Sequence, residues 1–139
     1  VKAATGDVVM MLEDHCEVET SWLSAMQDAL KDKACIVGGP IVNGADNSLF
    51  HWALFWSEYA AMMPPVPSDQ ISYLSAVNSA YYKSELDVCK PVWQGGFYDN
   101  EVHDALMKKG AKLCLAKEAI VKTRLPFSFK QAIVHLYTG

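Results

Sequence analysis

The chain has four cysteines but no Cys-x-x-Cys pair, only four scattered histidines, and no excess of positive charge. Each absence excludes something. Without paired cysteines at short spacing there is no zinc-site pattern. Twelve Lys and Arg against sixteen Asp and Glu leave a net charge of −4. That provides no basic face for nucleic acid, so no nucleic-acid partner is expected. No apolar run approaches the ~20 residues that span a bilayer, and no signal-peptide pattern is present. Internal repeats and low-complexity segments are lacking too. So is an initiator Met: Val1-Lys2-Ala3-Ala4-Thr5-Gly6-Asp7 reads as the end of a helix and a Gly-Asp turn. The expectation is that the chain is a piece of something longer.

What is present fits a packed globular protein. The chain is 51% hydrophobic and 20% charged, and its 139 residues fit one domain over positions 1–139. Cys35 and Cys114 stand in apolar runs and read as small core residues. That usage points to a reduced, cytoplasmic setting.

One stretch organises the rest. Val8, Val9, Met10, Met11 and Leu12 are consecutive apolar residues, followed at once by Glu13, Asp14 and His15. A short continuous apolar run fits a strand buried on both faces, as in a parallel sheet. The acidic cluster then falls at the strand's carboxyl end, where open α/β sheets bind ligands. Glu13 and His15 are two apart, so on an extended backbone they point the same way. Such a pair of donors suits a divalent cation. The plainer alternative is that the three residues cap or solvate the loop before the next helix.

Beyond that loop, Thr20 or Ser21 can cap a helix over residues 20–31, with Trp22, Leu23, Met26, Ala29 and Leu30 on its buried face. A second apolar strand, 34–37, ends in Gly38-Gly39-Pro40, and 41–44 continues it past a bend. Residues 45–48 read as a turn. The segment 49–63 is helical and apolar nearly all round, so it is central to a core or covered by a partner. Pro64-Pro65-Val66-Pro67 forces an extended loop. Strand character over 73–82 centres on Asn78 and Ser79, and 83–88 is a short helical turn. The glycine-bearing loop 91–97 is of the kind that closes over a site. A helix over 99–109, with Tyr98, Val102 and Leu106 on one face, stops at Gly110. Strands follow at 112–115 and 119–121. Pro126 opens a last amphipathic segment carrying Phe129, Ile133, Leu136 and Tyr137.

In this order the features resemble a family 2 glycosyltransferase of the GT-A fold, over nearly the whole chain. The family's Ala-x-Gly-Asp/Glu lead-in is similar to Ala4-Thr5-Gly6-Asp7, and its Asp-x-Asp metal motif to Glu13-Asp14-His15, with Trp22 following. The Glu-Asp-His version is similar to that of one subgroup. The Gly-Gly-Pro strand is matched by residues 37–40. The Gly-x-Asn-x-Ala segment resembles Ala76-Val77-Asn78-Ser79-Ala80, and the late Glu-Asp helix resembles Tyr98-Asp99-Asn100-Glu101-Val102 up to Gly110. Three departures stand out. Tyr98 replaces the Glu of Glu-Asp, Lys122-Thr123 stands where a metal-binding His is common, and the family's nucleotide-binding first half has no counterpart.

The resemblance implies an α/β fold, a partial GT-A mixed sheet flanked by helices, in a truncated catalytic domain. It implies sugar transfer from a nucleotide-sugar donor to a glycan, lipid or other acceptor hydroxyl, with inversion and with little turnover by this chain alone. Glu13 and His15 would hold Mn²⁺ or Mg²⁺, and Asp14 would bond ribose or sugar. Asp99 would be the general base, with Glu101 as the fallback and helix capping as its plain alternative. Asn78 would touch the donor sugar or close a turn, and Trp93 and Gln94 would shape the acceptor loop. His51, His103 and His135 read as surface or packing residues. The setting would be cytoplasmic, extending to the cytoplasmic face of a membrane, with the chain as a homo-oligomer. The rival readings are a non-catalytic interaction module that retains the fold and a different metal enzyme, such as a phosphoesterase using Glu13, Asp14 and His15.

Overall fold

The computed structural model describes residues 1–45, 48–67, 71–125 and 127–138, the last four as backbone only. Part of the turn expected at 45–48, Pro126, and the side chains of His135, Leu136 and Tyr137 lie outside the described residues. The fold is mixed α/β. Strands β1 (Val8–Leu12), β3 (Cys35–Gly38), β5 (Asn78–Tyr82) and β6 (Lys112–Leu115) form one sheet in the order β1-β5-β3-β6. Only β5 runs against the other three. Strands β2 (Cys16–Val18), β7 (Val121–Thr123) and β4 (Ile41–Asn43) form a second sheet in that order. The two are joined where β1 passes into β2, β3 into β4 and β6 into β7.

Helix α1 (Trp22–Ala29) follows its apolar spacing: Trp22, Met26 and Leu30 are buried against Val37 and Ala80. Leu23, expected on that face, is exposed, because it lies about 100° round the helix from the 22/26/30 stripe. Helix α2 (Leu49–Tyr59) and a short 3₁₀ turn (Ala60–Met62) occupy the region expected to be helical. Leu54, Phe55, Tyr59 and Met62 enter the core, whereas Leu49 and Trp56 remain exposed, so the segment is neither wholly core nor wholly surface. After β5 come α3 (Lys83–Val88), the single turn α4 (Lys90–Trp93) and α5 (Asp99–Met107). Gly110 ends the α5 region at φ +96°, where a side chain would be strained. The last helix is α6 (Phe129–Thr138).

Several expectations change. Val8–Leu12 is a strand at the sheet edge, but it pairs antiparallel with β5 and is not buried on both faces. Only Val9 is fully buried, and Leu12 is 43% exposed. A run of apolar residues specifies a strand but not how many neighbours it has. The strand β2 is an addition, drawn into pairing by β7. The loop 91–97 begins with a helical turn. Cys35 and Cys114 are joined in a disulfide with Cα atoms 5.7 Å apart, while Cys16 and Cys89 are free. The bond ties neighbouring parallel strands β3 and β6. Disulfides persist in oxidising compartments, so the expectation of reduced core thiols is corrected. Among the described residues, no helix is long and apolar enough to cross a membrane.

Candidate active site

The site forms where β1 leaves the first sheet. Leu12 pairs with Asn78, so the turn Glu13-Asp14-His15 emerges beside the segment that leads into β5. The turn is closed by the Cys16 N–H donating to the Glu13 carbonyl at 3.2 Å. The turn brings Glu13 and His15 to the same side, with His15 Nε2 3.1 Å from Glu13 Oε2. Nε2 is a buried atom, and its alignment on Glu13 makes no hydrogen bond. Asp14 points into solvent with a fully exposed side chain, 3.4 Å from His15 Nδ1.

Asp99 reaches the same place from the first turn of α5. Its Oδ2 accepts the Ala76 N–H at 3.0 Å and its Oδ1 accepts the Asn100 N–H at 2.8 Å. Ala76 lies two residues before β5, so Asp99 is tethered to the segment that leads into the strand bordering β1. Glu13, His15 and Asp99 thereby line one cavity of about 230 Å³. Residues that the sequence reading passed over complete it. Glu58 and Tyr59 come from the end of α2, Tyr73 and Ser75 from the approach to β5, and Leu125 and Phe127 from the far wall. Their signal was weak: a Glu-Tyr pair at a helix end and two hydroxyls in a loop have no distinctive spacing. Burial pushes the Tyr59 phenol well above its ordinary range, and Glu13 and Glu58 add to this. Burial also raises Tyr73, with the Asp99 carboxylate acting in the same direction. Both phenols therefore stay protonated and able to donate hydrogen bonds.

The other residues singled out in the sequence stand elsewhere. Asn78 is buried and saturated. Its Oδ1 accepts the Trp22 indole N–H at 2.8 Å, and its Nδ2 donates to the carbonyls of Pro40 and Ala119 at 3.1 and 2.8 Å. It locks α1, the Gly-Gly-Pro bend and β7's approach together rather than facing the cavity. Gly39 fits beside it only because it lacks a side chain: a Cβ there would lie 2.0 Å from the Ala119 carbonyl oxygen. Trp93 is a core residue whose indole donates to the Leu86 carbonyl at 2.7 Å. Gln94 is exposed, and its carbonyl accepts from Lys2 Nζ at 3.0 Å. Glu101 is exposed and outside the cavity lining. Lys122 pairs with Glu19 at 2.6 Å, and Thr123 lies opposite Cys16.

The cavity presents carboxylates, phenols and an imidazole, and the lining described holds no Lys or Arg. Among the described residues, no group of three or more His, Cys, Asp or Glu side chains is arranged to hold a metal ion. The chain thus offers two adjacent donors, Glu13 and His15, and not a closed structural site. A larger hollow of about 740 Å³ shares Leu125 and Phe127 with the cavity, and its described lining residues include no carboxylate.

A carboxylate-histidine turn at the end of an apolar strand thus shares one cavity with an Asp at a helix start. Residues 1–88 match Glycosyl transferase family 2, and the chain belongs to it. Two relatives are similar over shorter stretches. The "Probable N-acetylgalactosaminyltransferase 7" of Caenorhabditis elegans is 28% identical over 74 residues, 41% of this chain and 12% of that protein. The "N-acetylgalactosaminyltransferase 7" of Drosophila melanogaster is 35% identical over 49 residues, 35% of this chain and 8% of that protein. The matched stretch is thus a small part of either relative.

Proposed function

We propose that this chain carries the catalytic end of an inverting, metal-assisted transfer of a sugar from a nucleotide-sugar to an acceptor hydroxyl. One observation supports the reading above the others: Glu13, His15 and Asp99, far apart in the chain, line one cavity. Asp99 accepts the proton of the acceptor hydroxyl as that oxygen attacks the anomeric carbon, opposite the departing nucleoside diphosphate. Backbone N–H groups hold both Asp99 oxygens, which fixes their direction before substrate arrives. Tyr73 and Ser75 supply donors and acceptors for sugar hydroxyls beside it.

Glu13 and His15 fit an open cation site of the kind completed by substrate phosphate oxygens, and the buried, unbonded His15 Nε2 is a ready ligand atom. Mn²⁺ or Mg²⁺ held there would offset charge on the leaving diphosphate. Among the described lining residues there is no Lys or Arg to offset that charge. Asp14, exposed at the rim, remains available to a ribose hydroxyl. The names of the relatives make N-acetylgalactosamine the first sugar to try. The Cys35–Cys114 disulfide weighs against the cytoplasmic setting and favours an oxidising compartment.

The test is release of nucleotide from a panel of nucleotide-sugars, nucleotide-linked N-acetylgalactosamine first, with and without Mn²⁺. The expected result is slow metal-dependent release, in keeping with the little turnover expected of this chain alone, that falls at least about 10²-fold in Asp99→Asn. Equal rates for Asp99→Asn and the parent, or no binding of any nucleotide-sugar with metal present, would overturn the reading in favour of a non-catalytic module.

A further inference from the structure

Beneath the cavity lies a buried polar chain that the proposed chemistry does not use. Ser79 Oγ donates to the Tyr81 hydroxyl at 3.0 Å, and the Tyr81 hydroxyl stands 2.7 Å from His103 Nε2. Ser79, Tyr81 and His103 are 0%, 1% and 3% exposed, so they have little recourse to water. With Ser79 donating to it, Tyr81 directs its own proton to His103. That requires Nε2 to be an acceptor and places the imidazole proton on Nδ1. Burial disfavours the imidazolium, which agrees with a neutral ring.

The chain crosses between two elements that both determine where Asp99 stands. Tyr81 belongs to β5 and His103 to α5. His103 is four residues after Asp99, so the two side chains lie on one face of α5, one turn apart. Helix and strand are therefore tied twice along that face: by Asp99 to the Ala76 N–H, and by His103 to Tyr81. Phe97, at the end of the glycine-bearing loop, packs edge-on against the Tyr81 ring at 5.8 Å. That contact carries the approach to α5 along with the same anchor. Val102 and Leu106 seat α5 in the core, and the two polar ties, one turn apart, limit the residual roll of its Asp99 end.

We propose that His103 and Tyr81 are positioning residues for Asp99: their buried hydrogen bond fixes the roll of α5 on β5 and thereby aims the Asp99 carboxylate into the cavity. The catalytic consequence rests on the function proposed above, but the position of Asp99 is readable without substrate.

The experiment compares the full chain with Tyr81→Phe, His103→Leu and His103→Gln, labelled with ¹⁵N. The readouts are the Ala76 amide proton shift and its exchange protection, with the Ala116 amide, which donates to Gly38 in the β3–β6 region, as control. In Tyr81→Phe and His103→Leu, Ala76 is expected to move upfield and lose protection about tenfold, while Ala116 changes less than about twofold. His103→Gln, which restores an acceptor near the Nε2 position, is expected to recover the Ala76 signal. Tyr81→Phe keeps the ring and removes one oxygen, so it decides the matter if His103→Leu does not fold. An unmoved Ala76 in Tyr81→Phe, or equal loss at Ala76 and Ala116, would overturn the proposal. In the transfer assay kcat is expected to fall in Tyr81→Phe with the donor KM unchanged. If Ala76 responds but the parent protein transfers no sugar, the functional reading fails and the positioning of Asp99 stands.

Discussion

The Trp22 indole donates its N–H to Asn78 Oδ1 at 2.8 Å, so two residues at separate motif positions recognise each other and not a ligand. The remaining hydrogens of Asn78 go to Pro40 and Ala119. Replacing Asn78 with Ala strands a buried indole donor and removes a partner from two carbonyls. The expected cost is about 2–4 kcal/mol of folding stability, since an unpaired buried group loses its desolvation energy outright. Urea unfolding measures this. Nucleotide-sugar affinity of the folded fraction is expected to remain, because Asn78 does not line the cavity.

His103 makes stability depend on pH in one direction. Its pKa is lowered by burial, against a smaller opposing pull from Asp99. In the unfolded chain His takes a proton near pH 6.5. In the folded protein it resists protonation until lower pH, so in that interval the unfolded state binds more protons. The contribution is therefore fully present above about pH 6.5 and is lost as pH falls towards the folded value. Urea midpoints measured from pH 8 down to 5 are expected to decline on the acid side, and His103→Gln should flatten that decline.

The Cys35–Cys114 bond closes a long loop, with a sequence separation of 79, between neighbouring strands. Cross-links over loops of this length typically contribute about 2–4 kcal/mol by restricting the unfolded chain. Cys114→Ser is expected to lower stability by that order, and dithiothreitol should produce the same loss in the parent but none in the variant. Thiol titration of the unreduced, unfolded protein should find only Cys16 and Cys89.

Among the described residues, strand β1 has no hydrogen-bonded strand on its outer edge, and its own five residues include no charge and no Pro. Such edges recruit a further strand. The expected state in solution is a dimer that pairs β1 across a two-fold axis, visible as a mass that rises with concentration in light scattering. Leu12→Lys places a charge at the exposed end of this edge, away from the core that Met10 packs against, and should yield a monomer. A parent that stays monomeric at high concentration refutes the pairing.

Local chemistry was legible in the chain. The apolar run at Val8–Leu12 gives a strand, the 22/26/30 spacing gives a helix packed on one side, and Gly110 stops α5, because each depends on neighbours within a few residues. Glu13 and His15 were legible as a same-side pair for the same reason. Trp93 and Asn78 show the limit. Their residue types suit a binding site, yet the indole of one and the amide of the other are consumed by partners that sequence separation conceals.

By itself, then, the sequence determined most of the strands and helices, though not β2 or the α4 turn, the family to which they belong, and which residues carry usable chemistry. Tertiary structure decided the company those residues keep. It made β1 an antiparallel edge, brought Asp99 to Glu13 and His15, and added Glu58, Tyr59 and Tyr73. It also bonded Cys35 to Cys114 and buried His103 against Tyr81. The physical reason is that secondary structure answers to periodicity over a few residues, whereas these contacts join distant segments whose meeting depends on strand order and packing of the whole core.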